Sequence, residues 1–170
     1  MAPPTNKPRL NLIDPEAAAI TVTAEASRRF QALAHDLFDV PVVPAPAETR
    51  NFFRFPIYQT VRKLAEYATT GKKAATFDVM AAIHTLDYVA DRYEEREDNE
   101  SSYELGVIVG ACYAREKIGA GEAGSLTVRD LATLASLSIR QVRELVSNGE
   151  LPSRAPSYLK FLRERGVEGV

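Results

Sequence analysis

Leu126-Thr127-Val128-Arg129-Asp130-Leu131-Ala132-Thr133-Leu134-Ala135-Ser136-Leu137-Ser138-Ile139-Arg140-Gln141-Val142-Arg143-Glu144-Leu145-Val146-Ser147-Asn148-Gly149-Glu150-Leu151-Pro152 contains two helix starts in close succession. Thr127 and Asp130 stand at the N-cap and third positions of one helix, with Asp in place of the usual Glu, and Ser138 and Gln141 repeat that spacing for a second. Val128, Leu131, Ala132 and Ala135 make the buried side of the first helix. Val142, Leu145 and Val146 turn inward from the second, and Asn148-Gly149 ends it. Helices this short are not stable alone in water. They must therefore pack on each other across the Ser136-Leu137 turn, where Ala132 is small enough to admit the second helix. The expected arrangement is a helix-turn-helix.

The outward side of the second helix carries Arg140, Gln141, Glu144 and Ser147, with Arg143 at its edge. Arginine contacts guanine, and glutamine contacts adenine, through paired hydrogen bonds in the major groove. The first turn of such a helix is the part that reaches bases and phosphates. Arg140, Gln141, Arg143 and Glu144 are thus expected to read bases. Thr127, Arg129, Ser138, Ser147, Arg154 and Lys160 are expected to meet phosphates, with Arg163 and Arg165 either joining them or solvating a terminal helix.

These residues resemble the MerR and excisionase-like helix-turn-helix families, on about 27 of the 170 residues. The matching features are Leu126-Thr127, Leu131-Ala132, Leu137-Ser138, Val142-Arg143 and Gly149-Glu150-Leu151-Pro152. The resemblance implies a DNA-binding regulator with Arg140, Gln141 and Arg143 as reading residues. Two departures are visible. Ser136 occupies a turn position that is commonly Gly, so it must accept a left-handed backbone. After Pro152 those families carry a basic strand hairpin, whereas Ser153-Arg154-Ala155-Pro156-Ser157 leads into a short helix expected over Tyr158 to Arg165.

Upstream, Gly119-Ala120-Gly121-Glu122-Ala123-Gly124-Ser125 has three glycines in seven residues and reads as a flexible linker between residues 21–118 and 126–170. Four helices are expected before it. The first opens at Thr23, with Ala26, Phe30, Leu33 and Leu37 on one face, and stops by Asp39 because Pro41, Pro44 and Pro46 follow. The second starts at Pro56, buries Ile57, Val61, Leu64 and Ala68, and closes at Gly71. Phe52, Phe53 and Phe55 just before it read as a core plug or a subunit contact. The third runs from Thr76 to Glu95 on Val79, Ile83, Leu86, Ala90 and Tyr93, and ends in a solvated charge run, Asp91 to Glu100. Ser101 and Glu104 open the fourth, whose Gly106, Gly110 and Ala114 lie four apart and invite a close helix contact within the subunit or across a dimer. Residues 1–20, with Pro3, Pro4, Pro8 and Pro15, read as a loose tail.

Composition narrows the function classes. The chain is 45% hydrophobic and 26% charged, the balance of a globular protein that can bury a core. Its only cysteine, Cys112, excludes an internal disulfide and a cysteine-rich zinc site, and its apolar surroundings read it as a small buried hydrophobe. The net charge of −2 divides into +2 over residues 126–170 and −4 over residues 1–125, the sign expected of a C-terminal DNA-binding unit. His84, Asp87 and Asp91 share a helix face, but such residues are common on exposed faces and are not read as a metal site; His35 beside Asp36 and Asp39 is treated alike. No phosphate loop and no nucleophile–base signature is present, so an enzyme is not expected and no cofactor is implied. Prolines occupy Met1 to Asn11 where a secretory leader is apolar, and no run is long enough for a membrane span, so a cytoplasmic protein is expected.

The expectation is an all-α chain, an N-terminal bundle of about four helices followed by a C-terminal helix-turn-helix. It would bind double-stranded DNA as a homodimer in bacterial, phage or plasmid regulation. The alternative is a helical interaction adaptor, antitoxin-like or a phage accessory factor, whose C-terminal module meets protein instead.

Overall fold

In the computed structural model, which describes residues 9–38, 49–91 and 100–170, the described residues form helices, turns and no strand. The α-helices are α1 (Pro15–Phe38), α2 (Pro56–Thr70), α3 (Val79–Asp91), α4 (Glu100–Gly119), α5 (Val128–Leu134), α6 (Ile139–Ser147) and α7 (Ala155–Glu164). Short 3-10 turns lie at Leu10–Leu12, Thr49–Arg54 and Ala123–Ser125. α2 packs against α1, α3 and α4, and α4 packs in turn against α5.

The first helix begins eight residues before Thr23. Pro15 occupies its first position, where the missing N–H is no loss and φ is already helical. Asp14 accepts the Glu16 N–H at 3.0 Å, and an alanine run then favours continuation. Thr23 is consequently buried within the helix, and its hydroxyl makes no hydrogen bond. Leu10, Ile13, Ala18, Ala19 and Val22 are also buried, so residues 10–20 are anchored to the core and are not a loose tail. The expected face is shifted: Ala26 is half-buried and Phe30 is 65% exposed. The side chains of Leu33 and Leu37, and the end at Asp39, lie outside the described residues.

α2 starts at Pro56 and buries Val61, Leu64 and Ala68, as expected, and Gly71 closes it at φ 73°. The phenylalanine plug is only partly a plug. Phe52 is buried, with the Phe55 ring tilted against it at 6.3 Å, while Phe53 and Phe55 are exposed. α3 begins at Val79 and not at Thr76, because the Asp78 carboxylate accepts the Ala81 N–H at 3.0 Å and so caps the helix. Val79, Ile83 and Leu86 are buried; the side chains of Ala90 and Tyr93 and the charge run at 92–99 lie outside the described residues. In α4, Ile108, Ala111, Cys112 and Ala114 are buried. A Cβ placed on Gly106 or Gly110 meets nothing within 4 Å, so that end of the small-residue face is open among the described residues, while Ala114 is packed in the core.

A buried charge ties distant parts of this core together. Arg115 donates to the carbonyl oxygens of Ala68 (2.8 Å), Thr69 (3.0 Å) and Glu168 (2.6 Å). The first two belong to the last turn of α2, whose orphan carbonyls carry the negative end of the helix dipole. Burial lowers the Arg115 pKa, and these carbonyls satisfy the cation there. Cys112, one turn earlier, donates its thiol to the Leu64 oxygen at 3.3 Å, and burial pushes that thiol up to about 12. It is a packed hydrophobe with a satisfied donor.

The glycine-rich stretch is a packed reversal and not a loose linker. Gly121 turns at φ 79°, the Glu122 N–H reaches the Lys117 oxygen at 2.8 Å, and Ala123 and Leu126 are buried immediately after. Lys117 on α4 then pairs with Asp130 on α5 at 2.8 Å. α7 starts at Ala155, three residues earlier than expected, because Pro156 suits a first turn; Tyr158 and Leu162 are buried beneath it.

Gly71 and Gly169 both have positive φ, and their backbones touch. A Cβ on Gly71 would lie 3.0 Å from the Gly169 Cα and 2.5 Å from the Arg115 Nη1. Gly121 has the same sign of φ but open space around it. Gly121→Ala should therefore lose only the conformational term, about 1–2 kcal/mol. Gly71→Ala should lose clearly more, and urea unfolding of the two variants tests that order; equal losses would mean the Gly71–Gly169 contact is not tight.

Candidate nucleic-acid interface

Both capping boxes form. The Asp130 N–H donates to Thr127 Oγ1 at 3.1 Å while the Thr127 N–H donates to Asp130 Oδ2 at 2.8 Å, which opens α5. The Gln141 N–H donates to Ser138 Oγ at 3.1 Å and the Ser138 N–H donates to Gln141 Oε1 at 2.9 Å, which opens α6. Between them Ser136 takes φ 54°, the left-handed backbone that the resemblance implies at this turn, and the Leu137 N–H returns to the Ala132 oxygen at 2.9 Å. Leu131, Ala132 and Leu134 of α5 are buried, as is Val142 of α6; Leu145 and Val146 are half-buried. Past Ser147, Gly149 turns at φ 74° and the Leu151 N–H reaches the Leu145 oxygen at 3.0 Å, which seats Leu151 in the core.

Arg140, Gln141, Arg143, Glu144 and Ser147 are all exposed on α6. Arg140 is the most open of the ion-paired ones, its side chain 87% accessible, and its Nε lies 2.8 Å from Glu144 Oε1. That hydrogen bond and the carboxylate charge raise the guanidinium pKa. The bond is made by Nε and uses neither terminal nitrogen of the fork. Arg143 makes no ion pair among the described residues. Ser147 turns back, donating its hydroxyl to the Glu144 carbonyl at 2.9 Å.

Gln141 holds the cap of α6 as well as standing on its exposed side. Its Oε1 accepts from the Ser138 N–H and from the Ser138 hydroxyl at 3.0 Å. Paired recognition of adenine needs that oxygen as acceptor and the amide as donor together. With the cap intact only the amide is free.

The expected phosphate contacts divide by element. Thr127 and Arg129 are exposed at the start of α5, and Ser138 is exposed before α6 with its hydroxyl already donated. Arg154 and Lys160 are exposed on or beside α7, which packs against α5 and the Ala123–Ser125 turn. Arg154 Nε donates to Ser157 Oγ at 3.2 Å, and Lys160 lies 3.7 Å from Glu164. Arg163 Nε donates to the Val170 oxygen at 2.9 Å, and Arg165 stands over the Phe161 ring. The cations on and beside α7 thus each have a local partner.

Two features escaped sequence reasoning. Ile139, the first residue of α6, is exposed, although its spacing from Val142 reads as inward. The Asn11 N–H donates to Ser136 Oγ at 3.0 Å across 125 residues, which sets the N-terminal segment against the turn. No local pattern signals such a contact.

Asp130 makes the candidate interface acid-sensitive. Partial burial pushes its carboxyl up, but the Lys117 ammonium and the Thr127 N–H and hydroxyl outweigh this and hold it below the usual carboxylate range. A carboxyl depressed by folding stabilises the folded state above its unfolded value, about 3.9, and that contribution is lost as pH falls through the lower folded value. Asp130→Asn should be less stable than the parent at neutral pH, with the gap closing below about pH 4. Thermal melts across that range check it; a constant gap would show that the ion pair contributes nothing. No family model, curated protein or solved structure matches the chain.

Proposed function

We propose that this chain is a sequence-specific DNA-binding regulator in which α5 and α6 act as a helix-turn-helix, with α6 entering the major groove. The observation that carries the reading is the outer face of α6, where Arg140 and Arg143 stand open to solvent while Val142 anchors the opposite side in the core. A groove-reading helix needs this division: one side fixed by packing, the other free to meet base edges.

In this reading Arg140 keeps its two terminal nitrogens for guanine O6 and N7 while Glu144 holds its Nε, so less side-chain freedom is lost on binding. Arg143 supplies a second fork. Gln141 donates its amide to a base or phosphate acceptor without giving up the cap, and Glu144 can accept from cytosine N4 with its second oxygen. Thr127, Arg129, Ser138 and Ser147 flank the groove contacts, and Arg154 and Lys160 add positive charge alongside. The excess of +2 over residues 126–170 against −4 elsewhere orients the C-terminal part toward a polyanion. One short module gives limited affinity, so a homodimer reading two half-sites is part of the proposal. The unfilled Gly106–Gly110 face and the exposed Phe30, Phe53 and Phe55 support such pairing.

A protein partner is the second reading, and exposed Phe53 and Phe55 beside Arg54 favour it, since aromatic and arginine side chains are enriched at protein interfaces. Selection of bound fragments from random duplex DNA by the purified chain separates the two. An enriched inverted repeat is expected, with binding that weakens steeply as salt rises. Arg140→Ala should then weaken binding by roughly 1–3 kcal/mol and relax preference at one base position. Gln141→Glu, which keeps an acceptor for the Ser138 cap but removes the amide donor, should leave the melting temperature unchanged and still reduce affinity. Recovery of nothing above background at low salt would move the conclusion to the protein-contact reading.

A further inference from the structure

The Asn11–Ser136 hydrogen bond brings a cation to the helix pair that belongs to no helix of it. Arg9 is exposed, extended (φ −110°, ψ 142°) and without an ion pair among the described residues. It lies two residues before Asn11, and two residues of chain span at most about 7 Å. Ser136, which Asn11 touches, is two residues before Ser138, the cap of α6. The segment is held on both sides of this contact, because Leu10 and Ile13 are buried in the core. The nearest carboxylate in sequence, Asp14, already accepts the Glu16 N–H, and residues 1–13 contain no other acidic group. The backbone that carries Arg9, a cation with no ion pair among the described residues, is therefore anchored within a few residues' reach of the edge of α6.

We propose that Arg9 is a further DNA-binding residue, contacting a backbone phosphate beside the groove that α6 enters, with the Ser136 hydroxyl as the brace that positions it. The inference rests on the DNA-binding reading above. Each strand of duplex DNA carries one phosphate per roughly 3.4 Å of helix axis, so a cation held beside the reading helix meets a closely spaced row of them. The contact carries no sequence information; it sets register and strength. It also gives Ser136 a reason to stand where the left-handed turn would favour Gly, since glycine has no hydroxyl to receive the Asn11 N–H.

The test measures affinity of the full chain for its selected duplex and for a scrambled duplex across a range of salt. Arg9→Ala should weaken both by the same factor and lower the slope of log affinity against log salt by about 1. Arg9→Lys should restore the slope. In a Ser136→Ala background, where the brace is lost, Arg9→Ala should weaken binding less than in the parent. If the parent and Arg140→Ala behave as a base reader predicts but Arg9→Ala changes neither affinity nor slope, the Arg9 contact is wrong and the α6 reading stands. If Arg9→Ala has the same effect in both backgrounds, the brace is wrong. If the parent binds no duplex, both proposals fall together.

Discussion

Three carbonyl oxygens, from Ala68, Thr69 and Glu168, converge on the guanidinium of Arg115, and the architecture hangs on that convergence. A buried cation is tolerable only where its donors are paired. Here the pairing joins the end of α2, the middle of the chain in α4 and the last residues after α7. Gly71 and Gly169 have no side chains at the point where the two backbones meet, which allows the closure. Arg115 thereby fixes α4, and α4 carries the reversal at Gly121 and the Lys117–Asp130 pair that set α5 in place. The candidate interface is thus positioned from one end by a charge that never reaches the surface.

α5 and α6 depend on this support because they are too short to exist by propensity. Their capping boxes satisfy donors at each start, and the buried Leu131, Leu134, Val142 and Leu151 supply the packing. The caps also tax the surface. Ser138 and Gln141 both hold a helix end and face solvent, and the hydrogen bonds already made decide which part of each remains open. Arg140 and Glu144 are in a similar position, but an exposed pair exchanges partners at little cost, so the arginine stays available.

Much of the helical pattern was legible. Thr127–Asp130 and Ser138–Gln141 are local signals, and they mark α5 and α6 to the residue because a cap is made by neighbours in sequence. Pro56 and Gly71 bound α2 for the same reason. The left-handed turn at Ser136 was implied by the resemblance to helix-turn-helix families and by no local signal of its own. Where the reading failed, two local signals competed. Pro15 lies in a stretch with the composition of a loose tail and yet starts a helix, and Thr23, a cap by residue type, is buried inside that helix. The glycines of 119–125 have the composition of a loose connection, yet Ala123 and Leu126 bury themselves on the neighbouring helices and make the segment a fixed turn.

By itself the sequence determined the helical character of the chain, the caps that start α5 and α6, and which side of α6 is polar, all of which depend on residues a few positions apart. Only the tertiary structure decided that Phe52 is buried while Phe53 and Phe55 are not, that Arg115 is internal, and that Asn11 meets Ser136. Those outcomes follow from which surfaces remain uncovered once helices far apart in the chain have packed. Burial is a property of the assembly of elements, and no periodicity within one element contains it.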